Sequence, residues 1–329
     1  MDKISIIITA FNRKEYLMDA LRSIENQSVN GYLVETLIVK NFLDDEIDKY
    51  IDNHNYIALE GSETPLCDYV YQGLLHSNGK FIFFLEDDDI FLSDKIAFVM
   101  DKMKEFDLDF YHNSFSPRDN NSNIIKGKLY KQTKRSFLID TSTLSKRDVR
   151  RIMNNKGDIN LSSMCLNKRI VDHKFDKLPR LGAGPDWFML FSALENGKRL
   201  YFDNSILSIY RIHNSTVNSY ESDLNLLIGK RENLLQKEIF SLGLMKETFI
   251  SPLIKSIIDE RITTDILQLN IIKNEELKSF SGISIRNFLK VRRDSMGIGV
   301  MVMYFTGLIM PRLTRRLYFK IFQRLTFGT

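Results

Sequence analysis

Four acidic side chains in succession, Glu86, Asp87, Asp88 and Asp89, follow directly on five apolar ones, Phe81 to Leu85. An apolar run that short reads as a buried strand, so its end delivers four like charges to one point. Carboxylates so crowded stay ionised at low cost only when a cation shares them. Oxygen ligands on a turn suit a hard ion, Mg²⁺ or Mn²⁺. A calcium loop of EF-hand type is disfavoured, because Leu92 stands where the loop needs glycine and no glutamate follows at its last position. A solvated acidic turn is the plainer reading of the cluster alone. The strand in front of it favours a metal site at the carboxyl edge of a sheet, where open α/β folds bind their ligands.

A second acidic residue with chemical promise is Asp186, in Leu181-Gly182-Ala183-Gly184-Pro185-Asp186-Trp187-Phe188. This glycine-rich loop runs into a helix with Pro185 near its first position, and an Asp in the first turn is stabilised as the anion by the helix dipole. Simple capping is the alternative.

The elements that must hold these groups alternate. Ile4 to Thr9 is a β-branched run and reads as a first, central strand. Asn12 is the expected N-cap of the next helix, with Glu15 completing a capping box and Leu17, Ala20, Leu21 and Ile24 forming its apolar face. Val34 to Val39 is a second strand, Asp44 to Ile51 a helix, and Tyr56 to Leu59 a short strand. Pro65 opens a helix over Leu66 to Leu75 that Asn78-Gly79 ends, and Ser93 caps a helix beginning at Asp94. Such alternation predicts a mostly parallel, doubly wound sheet. From Asp109 the rhythm breaks: Phe110 to Asn113 is a strand, Ser116 to Asn123 a polar loop, and further strands fall at Leu200 to Phe202 and Leu207 to Ile212. The organisation expected is 1–113, 114–220, a helix-rich packing region at 221–293, and a tail at 294–329. No GxGxxG follows the first strand and no Walker A sequence occurs, which disfavours a dinucleotide dehydrogenase or a P-loop enzyme.

With 329 residues, 43% of them hydrophobic, the chain can bury a sizeable core. Its formal charge of +4 is unevenly spread: Arg286 to Thr329 holds nine Lys or Arg and one acid. Cys67 and Cys165 stand far apart, and five scattered histidines offer no zinc spacing, so buried thiols in a reducing compartment are expected. The apolar stretch after Lys3 is too short for a signal-peptide core, which points to the cytosol. Met296 to Met310 carries no charge in fifteen residues. As a helix it would reach ~22 Å against a hydrocarbon core of ~30 Å, so an interfacial or embedded element is preferred, with a buried core helix as the alternative. Beyond Pro311, Arg312, Arg316, Lys320 and Arg324 form one row and Leu313, Leu317, Ile321 and Leu325 the next, the pattern of a helix lying on anionic lipid. Nucleic acid is not expected as a partner, since no recognition motif accompanies the charge.

Three separated segments resemble one family, the inverting family 2 glycosyltransferases of GT-A fold. "ISIIITAFNRKEYLMDALRSIENQS", Ile4 to Ser28, is similar to that family's opening strand, nucleotide-binding turn and helix. "GKFIFFLEDDDIFLSDKI", Gly79 to Ile96, is similar to its metal-binding DxD strand, and Gly182 to Ser215 to its acceptor segment, ending in "YRIH". The resemblance implies an α/β, Rossmann-like sheet with flanking helices, followed here by the helical region and its apolar, amphipathic tail. It also implies a nucleoside-diphosphate sugar donor lying along Thr9, Phe11, Asn12 and Arg13, with Asp87 at the ribose and Asp88 and Asp89 at the metal, Mg or Mn, and the sugar. Asp186 would be the catalytic base, and Arg211 and His213 would contact phosphate, a role that also suits their charge. The acceptor implied is a glycan or lipid-linked precursor at the cytosolic face of the membrane.

The chain departs from the family pattern in two places. Val39-Lys40-Asn41-Phe42-Leu43-Asp44-Asp45 stands where many members have a base-reading Asp-Asp-Gly-Ser-like turn, leaving Asn41 or Asp44 for that task, and Pro185 replaces a glutamate before the base. Two other readings stay open: a polyprenyl-phosphate sugar synthase, and a membrane-bound sugar-nucleotide-binding protein without catalysis.

Overall fold

A computed structural model describes residues 2–29, 31–63, 66–126, 135–213, 224–273 and 295–327. The expected helix start at Pro65 and the stretch 274–293 lie outside the described residues, as do the side chains of Arg324 and Leu325. The chain divides into two compact units, one of Met1–Ile124 with Gln132–Arg211, the other of Ile125–Lys131 with Ile212–Thr329.

In the first unit the order is β1 (Lys3–Ala10), α1 (Leu17–Glu25), β2 (Leu33–Lys40), α2 (Asp45–Asn53), β3 (Ile57–Glu60), α3 (Leu66–His76), β4 (Phe81–Glu86), β5 (Ile90–Phe91), α4 (Lys95–Glu105) and β6 (Phe110–Arg118). There follow β7 (Phe137–Asp140), α5 (Lys146–Asn154), β8 (Met164–Asn167), α6 (Pro185–Asn196) and β9 (Arg199–Arg211). All nine strands make one sheet in the order β3-β2-β1-β4-β8-β6-β9-β5, with β7 paired to β9.

β1 is central because Ile4, Ile6, Ile7, Ile8 and Ala10 put apolar side chains on both of its faces. Every residue from Ile4 to Ala10 is buried, and parallel strands β2 and β4 flank it. Thr9 is in register with Val39 and with Glu86, so three strands end at one edge. β4 enters at Gly79, whose N–H donates to Ser5 Oγ at 2.8 Å and where any Cβ would strike the Ser5 backbone. α1 buries Leu17, Ala20, Leu21 and Ile24 against this core, the face its periodicity predicts.

The structure differs from expectation in four places. The sheet is mixed rather than mostly parallel: β8 runs antiparallel to β4 and β6, and β9 antiparallel to β5 and β7. β2, β3 and β4 are each reached through a helix that reverses the chain, whereas β8 lies between short 3-10 turns at Leu161–Ser163 and Lys168–Ile170. β6 runs across the boundary expected at 113 and pairs with β9 on both sides of it, so the two expected halves share one sheet. The two strands expected in 200–212 are one, β9, and a register shift opposite Ser114 absorbs the polar Asp203-Asn204-Ser205. The caps differ as well. Tyr16, not Asn12, precedes α1, and Asp94, left-handed at φ 60°, precedes α4 in place of Ser93.

The second unit contains α7 (Leu224–Thr248), α8 (Pro252–Lys273), α9 (Ser295–Ile309) and α10 (Pro311–Phe327). Val300, Tyr304, Tyr318 and Phe319 pack with Leu227, Leu235, Leu267 and Ile271 in its core. Tyr318 Oη donates to Gln268 Oε1 at 2.8 Å, and so does Arg231 Nη2 at 3.0 Å. One face of the uncharged run Met296 to Met310 is therefore core, as the alternative to an embedded or interfacial element had it. Its other face, Val302, Phe305 and Ile309, is exposed, as are Arg312, Leu313, Arg316, Leu317, Lys320 and Ile321 on α10. Among the described residues no helix is long and apolar enough to cross a membrane.

Candidate active site

The acidic turn sits where β1 and β4 end together. Asp87 N–H donates to Thr9 O at 3.1 Å, and Asp89 N–H closes the turn on Glu86 O at 3.0 Å. β5 then pairs with β9, Ile90 opposite Ile209, which carries Arg211 back to the same turn. Arg211 N–H donates to Asp89 Oδ1 at 3.1 Å, its Nε to Asp88 O at 3.0 Å and its Nη2 to Asp19 Oδ2 at 3.0 Å, while its guanidinium lies 4.5 Å from the Tyr16 ring. From the other side Arg13 grips Asp87 with both ends of its fork, Nε to Oδ2 at 2.9 Å and Nη2 to Oδ1, and reaches Asp88 Oδ2 at 2.9 Å. Residues 74 apart in sequence are thus one unit.

Asp186 stands at the start of α6. Gly184 precedes it at φ 79°, where a Cβ would also come within 2.6 Å of the Trp187 ring, so glycine is required. Pro185 is the first helical residue, and the Trp187 N–H donates to Asp186 Oδ1 at 2.9 Å. The Asp186 charge reaches the acidic turn. Burial, then the charges of Asp89, Asp88, Asp186 and Asp87, push the Glu86 carboxyl well above the usual carboxylate range. Asp89 is raised likewise, by burial and then Asp88, with Ser162, the Arg211 amide and the Lys95 charge easing it.

Beside this cluster, the Asn12 N–H donates to Asn41 Oδ1 at 2.9 Å and Asn41 Nδ2 to Asn12 Oδ1 at 2.8 Å. That pairing explains why Asn12 is left-handed, at φ 52°, and does not cap α1. Phe11 is half exposed and meets Tyr69 edge-on at 5.6 Å, and Thr9 Oγ1 is buried without a hydrogen-bond partner among the described residues. Of the predicted residues the structure therefore gathers Thr9, Arg13, Asp87, Asp88, Asp89, Asp186 and Arg211, with Phe11, Asn12 and Asn41 adjoining. His213 is buried and belongs to the second unit, as do Arg312, Arg316 and Lys320.

Sequence reasoning missed Lys95, which is fully buried and donates from Nζ to the Ser162 carbonyl and, at 2.8 Å, to Ser208 Oγ. The signal was present: Lys95, Val99 and Met103 recur at helical spacing on the buried side of α4.

Asp88 and Asp89 form a donor set that a hard cation would fit. Asp89 Oδ2 is buried and accepts no hydrogen bond from the described residues. Among the described residues no three ligating side chains converge. Mg²⁺ or Mn²⁺ commonly takes only one or two carboxylates and completes its shell with substrate phosphate and water.

The family model described as "Glycosyl transferase family 2" matches residues 5–174. A GalNAc(5)-diNAcBac-PP-undecaprenol beta-1,3-glucosyltransferase of Campylobacter jejuni is 28% identical over 159 residues, 45% of this chain and 47% of that protein. An uncharacterized glycosyltransferase of Rickettsia conorii is 30% identical over 118 residues, 34% of this chain and 19% of its own length. The chain thus spans about half of the first curated relative and less than a fifth of the second. The crystal structure of S. aureus TarS 1-349 in complex with UDP-GlcNAc superposes with a TM-score of 0.61 over 98% of this chain and 90% of that one. At 12% identity, that likeness is one of fold.

Proposed function

The chain belongs to glycosyl transferase family 2, and from that premise we propose that it moves a sugar from a nucleoside-diphosphate sugar to a lipid-linked or cell-surface glycan precursor. The observation that carries this reading is the acidic turn Glu86 to Asp89, fixed between Arg13 and Arg211 within the field of Asp186. The C. jejuni relative is named for a lipid-linked substrate, and TarS has been crystallised with UDP-GlcNAc. A uridine diphosphate sugar is therefore the first donor to try.

The reaction is a single displacement with inversion. An acceptor hydroxyl oxygen attacks the anomeric carbon as its bond to the phosphate oxygen breaks, Asp186 takes the hydroxyl proton, and the nucleoside diphosphate departs. A divalent cation on Asp88 and Asp89 would neutralise charge on that leaving group. Arg13 keeps Asp87 and Asp88 aligned, and Arg211 fixes the backbone of the turn through Asp88 O. Asn41, held by Asn12, would meet the base, with Asp44 as the alternative. The exposed Arg312, Arg316 and Lys320 beside Leu313, Leu317 and Ile321 support work at the cytosolic membrane face, with the second unit docking on anionic lipid.

A thermal-shift series with UDP, UDP-GlcNAc and other nucleoside diphosphates, with and without Mn²⁺, tests the donor. A ligand at 100 times its Kd stabilises by ~2.7 kcal/mol. The expected result is a shift with a nucleoside diphosphate that grows with Mn²⁺ and disappears in chelator; no shift with any of them would overturn the reading.

A further inference from the structure

Under the acidic turn the first unit buries a cation that the displacement does not use. Lys95 is 0% exposed, and its Nζ lies 3.9 Å from the centre of the Phe91 ring. Its hydrogen-bond partners are a carbonyl, Ser162 O, and a hydroxyl, Ser208 Oγ, rather than a carboxylate. A lysine in such a place is costly, and a methionine would fill the same space without desolvating a charge. Something besides packing retains it.

Both partners also hold the turn. Ser162 Oγ accepts the Glu86 N–H at 3.0 Å. Ser208 lies opposite Phe91 in the β5–β9 pairing, three residues before Arg211, whose N–H and Nε hold Asp89 and Asp88. Ser208 Oγ in turn donates to Ser162 O at 3.1 Å and accepts from Asn113 Nδ2 at 3.1 Å. One side-chain nitrogen thus joins α4, the 3-10 turn Leu161–Ser163 and β9, the elements on which the acidic turn rests. Its charge also acts on Asp89 directly, holding that carboxyl lower than burial alone would leave it. Lys95 itself is pulled down to about 7 by burial, against the opposing fields of Cys165 and Asp89.

We propose that Lys95 is a positioning residue for the donor site, holding the Glu86 to Asp89 turn, by its two hydrogen bonds, in the form that receives a diphosphate with its divalent cation. This rests on the donor reading above. It goes beyond it in assigning the readiness of the carboxylates to a buried lysine that touches neither substrate nor cation.

The test is calorimetric titration of the full chain with UDP in the presence of Mn²⁺, of Mn²⁺ at fixed UDP, and of uridine alone. The variants are Lys95→Met, Ser208→Ala and the double substitution. Lys95→Met is expected to weaken Mn²⁺–UDP binding about tenfold or more and to raise the Mn²⁺ concentration for half-saturation, while uridine binding and the unfolding transition stay near those of the parent. Ser208→Ala should lose less, and the double variant no more than Lys95→Met, since both cut the same connection. Unchanged Mn²⁺–UDP affinity in a folded Lys95→Met protein overturns the proposal, as does an equal loss for uridine. If Lys95→Met does not fold, a folded Ser208→Ala protein with parental Mn²⁺ dependence overturns it instead. A parent chain that binds no nucleoside diphosphate sinks the donor reading first, and this proposal with it.

Discussion

Asp186 is the residue on which the chemistry turns, and replacing it with Asn separates proton acceptance from shape. Asp186→Asn keeps an oxygen for the Trp187 N–H, now at 2.9 Å, and so preserves the start of α6. For a hydroxyl acceptor kcat should fall by about 10²-fold or more with donor affinity little changed. Steady-state kinetics with the donor found by thermal shift decides it, and a near-parental rate would mean a phosphate acceptor or another base. Lys95 makes a second prediction, on stability. Its folded pKa near 7 lies below the ordinary 10.5, so between those values the unfolded chain holds a proton that the folded protein lacks. Stability must then rise with pH across that window, by up to ~1.4 kcal/mol per unit. Urea unfolding from pH 7 to 9.5 should show a slope in the parent that Lys95→Met lacks, and parallel curves would refute the assignment. The acidic run was legible because its four members are adjacent in the chain. The grip of Arg13 on Asp87 was not, because composition does not say which distant cation a buried carboxylate meets.

At the level of elements, what could be read were periodicities and what could not were joints. The apolar face of α1 follows directly from spacing, and Asp44, read as the first residue of α2, is its cap, accepting the Ile47 N–H at 3.2 Å. Asn12 has the right residue type for a cap and the right distance to Glu15. It is instead drawn to Asn41, 29 residues away, a tertiary demand that local chemistry cannot reveal. The mixed sheet escaped for a related reason: the direction of β8 depends on short 3-10 turns, which leave no periodic signature. The joint into α6 was legible, and it supports a prediction. Gly184→Ala places a Cβ against the Trp187 ring at a left-handed position, which should cost about 1–3 kcal/mol. Because the strain falls two residues before Asp186, kcat should drop more than donor affinity. A variant with parental melting temperature and rate would show that the loop has room to move.

For the molecule as a whole, the question is what the second unit does with a helix pair that is half core and half exposed. The sequence reading sets residues 294–329 apart as a membrane-associating tail, yet α9 and α10 also pack into the core of the second unit. Deleting α9 and α10 would uncover Leu267 and Ile271 and remove Tyr318 from Gln268, so a truncated chain would confuse loss of membrane binding with loss of fold. Substitution on the exposed face is the clean test. Changing Arg312, Arg316 and Lys320 to Gln leaves Val300, Tyr304, Tyr318 and Phe319 in place. Each basic residue near an anionic surface is worth ~1 kcal/mol at modest ionic strength, so the variant should float with phosphatidylserine vesicles far more weakly than the parent. High salt should release most of the parent protein and change the variant little, because screening removes the same attraction. What survives salt then measures insertion of Val302, Phe305, Ile309 and Leu313, and their replacement by Ser should abolish it. Equal flotation of parent and charge variant at low salt would show that this face does not read lipid charge, and the membrane assignment would have to be abandoned.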